Sequence, residues 1–244
     1  MSIPTVRTIT RNERAWLNRE FQMFCGRFEL DQSSGLFFAE LTPGYHRQMI
    51  GEDFLALPLK LREVALYLGL TVSTTKEQRT SSGHASAVYG DWERPHSKIS
   101  PHLEMSVASL DSTRLCLAHL AHECSHLFWA VQPEPARAAY IQKMLALVEK
   151  FRAGGDEFVE VTAYAQRQFD AFNLLPESDD PGIVARRARL INKWAMESFC
   201  ESVAKLCFAS YQSEEGRQTD ELLAFRLQAM KEEFDFDPTW PLGV

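Results

Sequence analysis

From Leu117 to Phe128 the chain reads Leu-Ala-His-Leu-Ala-His-Glu-Cys-Ser-His-Leu-Phe. No Gly or Pro interrupts this run, Ser109 or Asp111 can cap it, and Pro133 and Pro135 stop it, so a helix is predicted to about Gln132. His122, Glu123 and His126 stand among Leu120, Cys124, Ser125, Leu127 and Phe128, none of which is charged. A polar triplet buried in an apolar helix costs free energy unless a partner compensates it. Any fold open to this chain must supply that compensation.

Four residues make slightly more than one helical turn, so His122 and His126 point the same way. Two imidazoles at that spacing can chelate one Zn²⁺. Glu123, one position along, can reach a metal-bound water without ligating the metal, which is the place of a general base. His119 lies on roughly the same side and reads as a packing residue, with a supporting or ligating role as the alternative. Cys124 faces elsewhere and is given no chemistry.

All seven histidines lie at or before His126, so a third ligand further along must be a carboxylate or a thiolate. The segment Trp194 to Ala204 places Glu197 and Glu201 four apart on one helix face. Such a pair repels by roughly 0.2–0.5 kcal/mol on an exposed helix and by more when buried. A dication nearby would turn that cost into a gain. Glu160 and Asp170 are rival carboxylates, and the reverse order, Glu201 as ligand and Glu197 as support, stays open.

The His122-Glu123-x-x-His126 helix resembles the active-site helix of the zincin metallopeptidases. The metzincin continuation is excluded, because Trp129 and Gln132 stand where that branch has Gly and His. Met196-Glu197-Ser198-Phe199-Cys200-Glu201 is similar to the Asn-Glu-x-Phe-Ala-Glu stretch of many gluzincins. The resemblance covers about 25 residues in two helical stretches. It implies Glu197 as third ligand and Glu201 as the acid that orients a histidine from behind. The chain departs from that group in the 70 residues between His126 and Glu197, and in having no later His to stabilise an oxyanion. Tyr140, Tyr164, Tyr211, His96 and His102 are the available substitutes.

Composition narrows the remaining classes. The net charge of −7 lacks the basic footprint of a nucleic-acid binder, and Arg186, Arg187 and Arg189 read as a solvated helix face. No stretch suits a secretory signal or a bilayer span, which leads to the expectation of a cytoplasmic protein without a membrane partner. The five cysteines are widely spaced without CxxC and read as reduced thiols.

The 244 residues are expected to form a single α+β, zincin-like catalytic domain: a small twisted sheet packed on the active-site helix, and a mainly helical C-terminal lobe. Residues 1–108 would be the α/β lobe and 109–244 the helical lobe carrying both motifs. Helices are predicted at Arg11–Phe24, Pro58–Leu68, Asp111–Gln132, Ala136–Arg152, Asp156–Phe172, Gly182–Ser210 and Glu215–Glu233. Strands are predicted at Leu36–Leu41, followed by a turn at Pro43-Gly44, and at Thr71–Thr75, Ala85–Tyr89 and Lys98–Val107. Pro101 implies an edge strand or a bulge in the last, a candidate edge on which an extended peptide could lie.

The expected activity is zinc-dependent hydrolysis of peptide bonds, with His122, His126 and Glu197 on the metal, Glu123 activating the water, Glu201 in support, and a protein or peptide as substrate. The alternatives are a non-catalytic interaction module with a structural or relic zinc site, which Cys200 could close as a fourth ligand, and a hydrolase of non-peptide amides.

Overall fold

The computed structural model describes residues 28–75, 87–89, 101–110, 113–155, 158–160, 163–207 and 220–238. The predicted helix Arg11–Phe24 lies outside them. The chain is α+β and divides into two compact units, one within residues 1–52 and 66–110, the other within 53–65 and 111–244.

The first unit holds a five-stranded mixed sheet: β1 (Phe28–Leu30), β2 (Phe37–Ala39), β3 (Thr71–Thr75), β4 (Ala87–Tyr89) and β5 (His102–Ser106), in the order β1-β2-β3-β5-β4. β2, β3 and β5 run parallel, and β1 and β4 flank them antiparallel. Register places Phe38, Val72 and Leu103 side by side. All three are fully buried and form the core row of the sheet. Two helices complete the described part of this stretch of chain: α1 (Gly44–Leu55) and α2 (Leu59–Tyr67), both crossed by the boundary between the units. Gly69 ends the α2 segment at φ 70°, a left-handed turn in which glycine carries no steric penalty.

Three expectations need correction here. Lys98–Val107 is not an edge: its described strand, β5, is flanked by β3 and β4, and the edges of the described sheet are β1 and β4. Pro101 stands just before the strand, where its missing N–H breaks no ladder bond, and its carbonyl accepts from the Thr71 N–H at 3.0 Å. Pro43-Gly44 opens helix α1 rather than only turning the chain. β1 was not anticipated from the sequence.

The second unit is helical: α3 (Thr113–Val131), α4 (Glu134–Gly154), α5 (Ala163–Asn173), α6 (Pro181–Cys207) and α7 (Asp220–Phe234). The Asp180 carboxylate caps α6, accepting from the N–H groups of Gly182 (2.8 Å) and Ile183 (3.1 Å), with Pro181 in the first turn. Gly155 closes α4 in the left-handed conformation, φ 82°, and its N–H returns to the last turn. Phe158–Glu160, expected within a helix, is irregular, and α5 begins only at Ala163.

An aromatic cluster joins four of these helices. Phe128 and Trp129 of α3, Tyr140 of α4, Phe199 of α6, Phe234 of α7 and the following Phe236 are all at most 6% exposed. Phe128 stacks on Phe199 with centroids 5.9 Å apart, and Trp129 lies 5.5 Å from the same ring. This contact fixes α3 against α6 within one turn of His126 on α3 and of Glu197 and Glu201 on α6. No helix among the described residues is long and apolar enough to cross a membrane.

Candidate metal centre

α3 is buried on nearly all sides between Leu120 and Trp129, with His122 the one residue that keeps partial access. His122 and His126 meet at their Nε2 atoms, 3.1 Å apart. Glu197 of α6 faces both, its Oε2 3.7 Å from each Nε2. Among the described residues these three form a group able to hold a metal ion. The nearest point equidistant from the three atoms, in their plane, lies about 2.0 Å from each, within the range of Zn–N and Zn–O bonds. The donor set therefore fits a small dication.

The outer nitrogens of both rings are also faced by α6. Glu201 Oε1 stands 3.5 Å from His122 Nδ1. Cys200 Sγ stands 3.5 Å from His126 Nδ1. Side-chain exposure is 19% for His122, 11% for His126, 8% for Glu197 and 12% for Glu201, so the group is sheltered without being sealed.

Burial disfavours charge on both imidazoles. It lowers the pKa of His122 against the opposing pull of Glu197. It lowers that of His126 much further, helped by His122 and by Lys193. Neutral rings with a free lone pair are the form that binds metal. Burial, with the charges of Glu197, Glu123 and Glu201, pushes the Cys200 thiol well above its usual range. Glu123, at 7% exposure, sits close enough for its charge to raise Cys124 as well.

The rival acids have other occupations. Glu160 is fully buried in an ion pair with Arg226, whose Nη2 donates to both its oxygens at 2.9 and 2.8 Å. Trp194 Nε1 donates a further bond to Glu160 at 2.6 Å, and Arg226 Nη1 donates to Ser202 Oγ at 3.0 Å. Asp170 is exposed on α5 and accepts from Gln166 at 2.8 Å. Neither joins the histidines.

The remaining candidates sort as follows. His119 is half-buried and lies outside the three-residue group. Tyr140 is fully buried among Trp129, Phe199 and Phe234, a core position rather than one at an open site. His102 has both ring nitrogens engaged by β3, Nδ1 with Thr71 Oγ1 and Nε2 with Ser73 Oγ, each at 2.9 Å. His96, the Tyr164 side chain and Tyr211 lie outside what is described. Of the arginines read as a solvated face, Arg186 and Arg189 are exposed, while Arg187 lies over the Phe172 ring at 4.4 Å.

The sequence reading gave Cys200 only the role of a fourth ligand. Its sulfur instead lies behind His126, on the ring nitrogen turned away from His122 Nε2 and Glu197 Oε2. The signal was its spacing: it follows Glu197 by three residues and so shares that face of α6. No protein-family model, no curated protein and no solved structure matches this chain.

Proposed function

We propose that this chain is a zinc-dependent metallopeptidase with a zincin-like, gluzincin-type centre. The observation that carries the reading is the triangle of His122 Nε2, His126 Nε2 and Glu197 Oε2, with sides of 3.1, 3.7 and 3.7 Å. A His₂Glu donor set suits zinc, and three protein ligands leave a coordination position open. A bound zinc ion supplies Lewis acidity at a carbonyl and lowers the pKa of a water toward neutrality.

The chain's own residues carry the rest of the proposed reaction. His122, His126 and Glu197 would hold the ion. Glu201 stands behind His122 at 3.5 Å, where a carboxylate keeps the ring oriented and its Nδ1 protonated. Glu123 takes a proton on its carboxylate as water adds to the peptide carbonyl, then delivers it to the leaving amine. The substrate is a protein or peptide. A closed structural zinc site needs four protein ligands, and among the described residues the group has three.

The test is metal content with activity. Wild type should hold about one zinc per chain and cleave a mixed peptide library. Glu123→Gln should keep the metal and lose about 10²–10⁴-fold in cleavage rate. A variant that keeps both metal and full activity would remove Glu123 from the mechanism. Wild-type protein that takes up no zinc when supplied with it would remove the proposal.

A further inference from the structure

Glu197, Cys200 and Glu201 occupy positions i, i+3 and i+4 on one face of α6. Each meets the histidine pair differently. Glu197 reaches the two inner nitrogens, Glu201 faces the outer nitrogen of His122, and Cys200 faces the outer nitrogen of His126. A histidine that gives Nε2 to a metal carries its proton on Nδ1, and that proton needs an acceptor to fix the ring.

We infer that Cys200 is a positioning residue for His126: its sulfur accepts the Nδ1–H and holds Nε2 toward Glu197 and His122. The inference rests on the metal site proposed above. At 3.5 Å the contact is within hydrogen-bond range for sulfur. His126 is only 9% exposed and Cys200 fully buried, so little water is at hand to replace the sulfur. The two nitrogens of one imidazole point to opposite sides of the ring. A sulfur on Nδ1 therefore does not share an ion bound at Nε2. The same turn of α6 thus supplies a ligand and a separate support for each histidine, a carboxylate for one and a thiol for the other. Sulfur is the weaker acceptor, so its removal should cost less than removal of the carboxylate.

The test uses the full chain, with zinc affinity read by competition against a chromophoric chelator and the absorption spectrum of the Co²⁺-loaded protein. Cys200→Val fills the space without an acceptor, and Cys200→Ser restores one. We expect Cys200→Val to bind zinc about 10-fold more weakly than wild type, with Cys200→Ser between them. The metal-free melts should show both variants folded. Co²⁺-loaded wild type should lack an intense sulfur-to-metal charge-transfer band in the near ultraviolet. Equal zinc affinity in wild type and a folded Cys200→Val would overturn the inference and leave the metal site standing. A charge-transfer band in wild type that Cys200→Ser abolishes would overturn it by making the sulfur a ligand. That spectrum tests whether the sulfur is a ligand whether or not the valine variant folds. Wild type that binds neither zinc nor Co²⁺ would remove both the site and the inference.

Discussion

Glu160→Gln and Glu197→Gln should separate cleanly, because the carboxylate favoured from the sequence as third ligand and its rival do different work. Glu160 and Arg226 both have fully buried side chains and are joined at 2.8 Å. Removing one partner of a buried pair costs about 3–5 kcal/mol, since the other charge is left uncompensated. Glutamine at 160 reports that cost in full, because the Arg226 guanidinium cannot shed its proton to escape it. In a chain of this length about 2–4 °C of melting temperature follows each kcal/mol, so Glu160→Gln should melt about 6–20 °C lower. Its zinc stoichiometry, measured below that melt, should be that of wild type. Glu197→Gln should do the opposite. The metal-free melt should move by less than about 1 kcal/mol equivalent, because the loss also relieves repulsion from Glu201 one turn away. Zinc affinity should fall by more than the ~10–100-fold expected for a supporting residue. Differential scanning calorimetry of chelator-treated protein and atomic absorption after dialysis read the two quantities. A Glu160→Gln protein that melts like wild type but has lost zinc, or a Glu197→Gln protein that keeps it, would refute the assignment.

Three further outcomes are expected. Glu201→Gln should weaken zinc binding about 10–100-fold without moving the metal-free melt, checked by chelator competition; an unchanged affinity would make the 3.5 Å approach to His122 incidental. In metal-free protein, His122 and His126 have folded pKa values below the ordinary 6.5, so below about pH 6.5 the unfolded chain binds protons that the folded chain does not. Their contribution to stability is fully present above that pH and is lost progressively as the pH falls from there through the lower folded values, and urea unfolding below about pH 6.5 should show a slope that His126→Gln reduces. Phe199→Ala should destabilise the fold by about 3–5 kcal/mol and weaken zinc binding as well, because Phe199 fills the cluster that holds α3 against α6; urea unfolding and chelator competition on the same sample would reveal whether the two losses travel together.

Local rules made much of this chain legible. His122 and His126 share a face because helix geometry repeats every few residues, whatever lies elsewhere in the fold. The cap at Asp180, the stop at Gly155 and the β-branched run Thr71–Thr75 likewise depend on near neighbours. Tertiary structure decided what depends on contacts distant in sequence. Glu197 led as the third ligand with Glu201 in support, but Glu160 and Asp170 remained rivals, and nothing local to them excluded either. Packing of Phe128 and Trp129 on Phe199 brings the α6 acids to the histidines, while Arg226, far along the chain, takes Glu160 into the core. Helix α1 was hidden because Pro43-Gly44 serves equally as a turn and as a helix start, and only the surrounding packing chooses between them. The interior place of β5 was hidden for the same reason, since it depends on pairing with β3 and β4, which lie too far along the chain for a short pattern to encode. The sequence alone set which side chains share a helix face; which faces meet was decided by burial of residues more than a hundred positions apart, such as Phe128 and Phe234.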